Sequence, residues 1–125
     1  MGIFNGVIGN ASEINPEELK AKYKELLYPG EIVEKAYLLI RDMFIFTNKR
    51  LILVDVQGMT GKKIEYHSIL YRSITHFTIE TSGHFDLDAE LKIWISGSDM
   101  PIQKQFNSKL NIYELQRVLA EYASR

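Results

Sequence analysis

The chain has 125 residues, of which 46% are hydrophobic, 25% charged and 11% aromatic. Fifteen basic and sixteen acidic residues give a net charge of −1, which excludes the strongly basic class of nucleic-acid-binding domains. The absence of cysteine excludes disulfide scaffolds and thiolate zinc sites, and it fits a reducing cytoplasm. We therefore predict one globular cytoplasmic domain over residues 1–125.

Residues 1–14 form an N-terminal extension with four apolar side chains, Ile3, Phe4, Val7 and Ile8. The first positive charge is Lys20, and no apolar run approaches the ~18 residues of a membrane span, so neither a signal peptide nor a stable membrane insertion is predicted. An apolar patch of this kind is unfavourable in water unless another surface packs against it. We expect a neighbouring copy of the chain to supply this surface. The alternatives are folding back on its own domain, disorder, or weak peripheral membrane binding.

An N-terminal helix is predicted over residues 15–28. Asn15 can cap it, Pro16 suits its first position, and Glu18 completes a capping box. Four apolar residues at helical spacing form one stripe, namely Leu19, Tyr23, Leu26 and Leu27. The Pro-Gly pair that follows ends the helix.

Residues 32–107 contain short β-branched and aromatic segments separated by turn residues. We predict seven antiparallel strands, at residues 33–40, 44–47, 51–56, 62–67, 75–81, 91–95 and 102–106. An amphipathic helix follows at residues 111–123, with Ile112, Leu115, Val118, Leu119 and Tyr122 on one face. This element order predicts a mainly β sandwich or partly open barrel that the C-terminal helix closes, with an extra N-terminal helix.

Two of the predicted strands alternate polar and apolar residues, so one face of each carries a polar row. If these strands are neighbours, the rows lie together on an outward face. Directional hydrogen bonds from such a face suit protein recognition, whereas plain solvation is the alternative. The predicted interaction surface is Glu65, His67, His76, Thr78 and Glu80, with Asp86 and Asp88 as an acidic flank.

No motif predicts catalysis, a metal or a cofactor. The three histidines lack the H-x-x-x-H spacing of zinc sites. The acidic stretch 86–90 lacks the Gly and Glu that a calcium loop requires, and no G-x-S-x-G nucleophile is present. The alternative function is a small-ligand site lined by Tyr66, Tyr71 and Trp94, although strand aromatics of this kind are typical of a core.

Several ordered segments together resemble the bacterial pleckstrin-homology-like domain family. They are Phe44-x-x-Thr47-Asn48-Lys49-Arg50-Leu51-Ile52, Gly61-Lys62-Lys63-x-Glu65-Tyr66-x-Ser68-Ile69, Tyr71-x-x-Ile74 and residues 85–93, with residues 2–4 and 9–13 near the start. The resemblance implies two near-orthogonal antiparallel sheets of seven strands, closed by the C-terminal helix, and no known catalytic activity. It also implies a protein-interaction module that forms a cyclic homo-oligomer, a pentamer for single-domain chains, with a polar surface where strands of adjacent protomers meet.

Eukaryotic pleckstrin-homology domains often bind phosphoinositides through several basic residues in the first hairpin loop. Here that loop is Arg41-Asp42, which is short and nearly neutral. The tight basic pairs are Lys49-Arg50 and Lys62-Lys63, fewer than anionic lipid recognition needs. We therefore expect no phosphoinositide binding.

Overall fold

The computed structural model describes residues 12–13, 15–39, 42–59, 63–81, 88–107 and 112–125. The predicted oligomer contacts Ile3, Phe4, Val7 and Ile8 lie outside the described residues. So do Asp86 and the side chain of Asp88, the predicted acidic flank.

The described residues form two helices and eight strands. In chain order they are β1 (Ser12–Glu13), α1 (Pro16–Lys22), β2 (Val33–Leu38), β3 (Met43–Thr47), β4 (Arg50–Gln57), β5 (Lys63–Leu70), β6 (Ile74–Thr81), β7 (Asp88–Ile95), β8 (Ile102–Asn107) and α2 (Ile112–Ala123). The seven predicted strands are all present, and the two-residue β1 is an addition. The predicted mainly β fold with a C-terminal helix is confirmed.

The strands form two antiparallel sheets. One has five strands in the order β1-β2-β3-β4-β5, and the other has three in the order β6-β7-β8. A 3-10 turn, Tyr71–Ser73, carries the chain from the first sheet to the second. Every residue of β3 is buried, because the five-stranded sheet is covered on both faces, and the first four residues of this strand are accordingly all apolar.

The inner core lies between the two sheets and α2. Phe46 stands at its centre, with its ring centroid 6.1 Å from that of Tyr37 and 5.2 Å from that of Tyr122. The hydroxyl of Tyr122 donates to Glu34 Oε1 at 2.5 Å. Burial, together with this neighbouring carboxylate, raises the pKa of Tyr122 to about 12. The aromatic contacts and this bond fix α2 against the sheets.

The outer core covers the opposite face of the five-stranded sheet. Leu19 of α1 is fully buried there, in one cluster with Ala36, Ile45, Ile52 and Val54. The N-terminal helix is therefore part of the domain and shields a sheet face that water would otherwise reach.

The helix α1 is shorter than predicted. Asn15 caps it, accepting a 2.9 Å hydrogen bond from the Glu17 N–H, but the helix ends at Lys22 and not at residue 28. Beyond it the chain continues in tight turns, with Leu26 N donating to Tyr23 O at 2.9 Å. Arg50, from β4, donates a hydrogen bond from Nη2 to the Leu26 carbonyl at 2.7 Å. This long-range bond stabilises the turn in place of further helix.

Candidate interaction surface

The outward face of the three-stranded sheet carries the predicted polar row of β6. Phe77 and Ile79 pack against the inner core, whereas His76, Thr78 and Glu80 are exposed. The alternation predicted for this strand is confirmed, because the period of two places the two sets on opposite faces.

The polar row continues across the other two strands of this sheet. His76, Thr78 and Glu80 lie directly opposite Trp94, Lys92 and Glu90 of β7. Gln103 and Gln105 of β8 lie opposite Lys92 and Glu90 in turn. We call this set the polar outer face: His76, Thr78, Glu80, Glu90, Lys92, Trp94, Gln103 and Gln105.

One end of the polar outer face is ordered by an aromatic stack. The rings of His76 and Trp94 lie nearly parallel, with centroids 4.3 Å apart. The hydroxyl of Thr75 is 3.2 Å from His76 Nδ1 and donates to the Trp94 carbonyl at 3.2 Å. These contacts hold a flat, amphipathic platform at the surface.

The other end of the polar outer face holds two carboxylates on neighbouring strands. Glu80 lies opposite Glu90, and a like-charge pair in this position is destabilising unless a cation approaches it. Lys92 Nζ is 3.9 Å from Glu90 Oε1. Glu80 has no ion pair among the described residues, so it is an acceptor available to a ligand.

The two predicted polar rows do not share a surface. Strands β5 and β6 lie in different sheets, so the condition that these two strands are neighbours is not met. Glu65 and His67 lie opposite Asp55 and Leu53 of β4, on the inner-core side of the five-stranded sheet. Only the β6 half of the predicted set belongs to the polar outer face.

The three aromatic side chains predicted for a small-ligand site are also separated. Tyr71 is buried in the inner core, and Trp94 lies on the polar outer face. Tyr66 is half-exposed on β5, where its ring makes an edge contact with Tyr23 at 6.3 Å between centroids. In the described part of the chain these three side chains therefore do not come together.

A buried polar network, which sequence reasoning missed, joins the β3–β4 hairpin to the turn before β2. The Glu31 side chain is fully buried and accepts from Arg50 Nε at 2.8 Å and from Arg50 Nη2 at 3.0 Å. The Thr47 hydroxyl donates to the same carboxylate at 2.7 Å. Burial raises the pKa of Glu31, but the hydrogen bonds from Arg50 and Thr47 outweigh it and hold that pKa below its usual value.

The same hairpin is tied to neighbouring segments on both sides. Asn48 Oδ1 accepts the Ile32 N–H at 2.8 Å. The Tyr71 hydroxyl lies 2.6 Å from the Thr47 carbonyl and 2.7 Å from that of Arg50. The Thr47-Asn48-x-Arg50 pattern is the sequence signal that could have indicated this network, and these residues have a structural role here. Arg50, a member of the tight basic pair Lys49-Arg50, forms an ion pair with Glu31.

The first hairpin, between β2 and β3, borders a cleft of about 490 Å³. Its lining includes three carboxylates, Asp42, Asp55 and Glu90, and one cation, Lys104. Lys104 Nζ bridges Asp42 at 3.3 Å and Asp55 at 3.1 Å. Burial raises the pKa of Asp55, but the bond and charge of Lys104 outweigh it and lower that pKa. Among the described residues of this lining, negative charge is in excess and opposes phosphate binding.

Within the described residues, no group of three or more His, Asp or Glu side chains converges in a way that could hold a metal ion. In the same part of the chain, no helix is both long enough and apolar enough to cross a membrane.

Two antiparallel sheets closed by a C-terminal helix define a pleckstrin-homology-like architecture. The family model described as the bacterial PH domain matches residues 2–123. The chain therefore belongs to the bacterial pleckstrin-homology domain family.

The chain is similar to several known proteins, and three of them follow. The uncharacterized protein YjqA of Bacillus subtilis is 52% identical over 121 residues, covering 96% of this chain and 97% of that protein. A pleckstrin homology domain from Shewanella amazonensis matches with a TM-score of 0.82 and 47% identity, covering 98% of both chains. A pleckstrin-homology-domain protein from Shewanella loihica matches with a TM-score of 0.79 and 49% identity, covering 92% of this chain and 98% of that one.

Proposed function

We propose that this chain is a non-enzymatic protein-interaction module of the cytoplasm, which assembles with copies of itself into a pentameric ring and binds a protein partner through the polar outer face. The observation that carries the proposal is the polar outer face itself. All three strands contribute polar side chains to it, and five of these side chains are exposed, namely His76, Thr78, Glu80, Gln103 and Gln105.

The chemistry of this face suits a protein partner. The stacked His76 and Trp94 offer a rigid aromatic platform, and Glu80 offers an acceptor without an ion pair among the described residues. Aromatic anchors beside directional polar groups are typical of protein recognition sites. The carboxylates of the cleft at the first hairpin argue for a protein ligand over an anionic lipid headgroup.

The ring is supported by the open side of the five-stranded sheet. Strand β5 ends that sheet, with no further strand beside it in the described part of the chain. Ile64 and Tyr66 on this strand are 42% and 45% exposed. An open edge next to apolar side chains favours docking of a second copy, and a head-to-tail contact that closes makes a ring. The pentameric number rests on the family resemblance alone.

A double substitution tests the polar outer face. We expect His76→Ala/Glu80→Ala to lose partners that the wild-type protein captures from a bacterial extract, because it removes half of the aromatic stack and the Glu80 carboxylate. Bound proteins are compared by quantitative mass spectrometry.

The matched control is Gln116→Ala/Arg117→Ala, two exposed positions on α2, which should capture the same partners as wild type. Equal recovery by the β6 variant, with an unchanged melting temperature, would rule out this face as the binding surface.

A further inference from the structure

A second cleft, of about 390 Å³, lies where the β3–β4 hairpin, the β5–β6 turn and the end of α2 meet. Four cations line it: Lys49, Arg50, Arg72 and Arg125. None of the described residues that line it is Asp or Glu. We call this site the basic cleft. The basic cleft and the cleft at the first hairpin lie at opposite ends of β4. Arg50, which lines the basic cleft, begins this strand, and Asp55, which lines the other cleft, lies near its end.

Two of the four cations are held in place by ion pairs. Four hydrogen bonds fix the Arg50 guanidinium, to Glu31, Ser68 and the Leu26 carbonyl, which leaves one of its five N–H groups free. Arg125 is 3.5 Å from Glu34 and lies 3.9 Å over the Tyr122 ring. These two guanidinium groups are therefore already engaged within the chain.

The other two cations are available to a ligand. Lys49 and Arg72 are exposed, and neither side chain has an ion pair or hydrogen bond within the described residues. Apolar surface lies beside them, because Tyr28 and Leu70 also line the cleft and are 49% and 47% exposed. The cleft thus combines two free positive charges with a place for an apolar side chain.

We propose that the basic cleft binds an acidic peptide segment of a protein partner, with carboxylates at Lys49 and Arg72 and an apolar side chain against Tyr28 and Leu70. Two free cations match two carboxylates, whereas anionic membranes are recognised by larger basic clusters. The proposal does not depend on the ring or on the polar outer face, so it can fail while they stand.

Fluorescence anisotropy with a dye-labelled peptide of alternating Glu and Leu tests the proposal on the full chain. We expect binding that weakens with added NaCl, since charge pairs at an open cleft are screened. A Lys/Leu peptide of equal length should not bind. Lys49→Gln/Arg72→Gln should weaken binding by about tenfold or more, an amount typical of losing charge pairs at an interface.

The control variant Lys63→Gln/Arg117→Gln removes the same charge from exposed positions elsewhere, and it should bind like wild type. The proposal is overturned by absent binding of the acidic peptide, by equal loss in both variants, or by unchanged binding in the cleft variant. Displacement of the peptide by inorganic phosphate, or by vesicles of phosphatidylcholine and phosphatidylserine, beyond that caused by NaCl of equal ionic strength would also overturn it, in favour of a phosphate or lipid site.

Discussion

Replacing Arg50 with Met should destabilise the domain by about 3–5 kcal/mol, because the Glu31 carboxylate is then left buried without its cation. The Thr47 hydroxyl donates one hydrogen bond to this carboxylate and cannot neutralise its charge. Chemical denaturation with a two-state fit measures the loss.

Two further variants distinguish a buried ion pair from simple loss of packing. Lys49→Met, at the exposed neighbouring position, should change stability by less than about 0.5 kcal/mol. Glu31→Leu/Arg50→Met should recover much of the loss, because neither partner is left as an unpaired charge. If the double variant is as unstable as Arg50→Met, the charge pair is not the cause.

The same pair gives the domain a defined acid sensitivity. The pKa of Glu31 is below its usual 4.5 in the folded protein. Stability from this group is therefore fully present above the unfolded-state pKa and is lost as the pH falls through the folded-state pKa. Wild type should lose stability more steeply in this acid range than Glu31→Gln does.

Truncating Leu19 to Ala should cost about 2–5 kcal/mol, since its side chain is fully buried against the five-stranded sheet. Thermal and denaturant unfolding measure the effect. The adjacent exposed Lys20→Ala should be nearly neutral. A change below about 0.5 kcal/mol for Leu19→Ala would show that α1 does not seal the outer core.

The positions of the strands along the chain, and several core faces, could be predicted where they depend on local patterns. In β6 the alternation of Phe77 and Ile79 with polar residues identified the buried face. In α2 the apolar stripe identified the side that packs on the sheets. These patterns have a period set by backbone geometry, so they are visible without knowledge of the rest of the chain.

The predictions were wrong where contacts between distant segments of the chain determine the structure. On β5 the apolar Tyr66 is half-exposed, whereas the polar His67 lies opposite the core residue Leu53. The alternation alone does not say which face a sheet buries. The end of α1 likewise depends on Arg50, which lies 24 residues beyond the carbonyl of Leu26 that it binds.

The buried Glu31 network shows the same limit. An acidic residue after a Pro-Gly turn resembles any solvated side chain, and its burial is decided by Arg50, 19 residues later. The basic cleft was missed because its cations come from three separate parts of the chain. Such sites require the tertiary structure.

The solution mass of the full-length protein, measured by multi-angle light scattering after size exclusion, tests the proposed assembly most directly. We expect a single species with the mass of a pentamer of the 14.5 kDa chain. Deleting residues 1–10, which carry Ile3, Phe4, Val7 and Ile8, should reduce that mass if this segment holds the ring together. A ring that survives the deletion would assign the contact to other surfaces, such as the β5 edge. A monomer at high micromolar concentration of the full-length chain would contradict the ring itself.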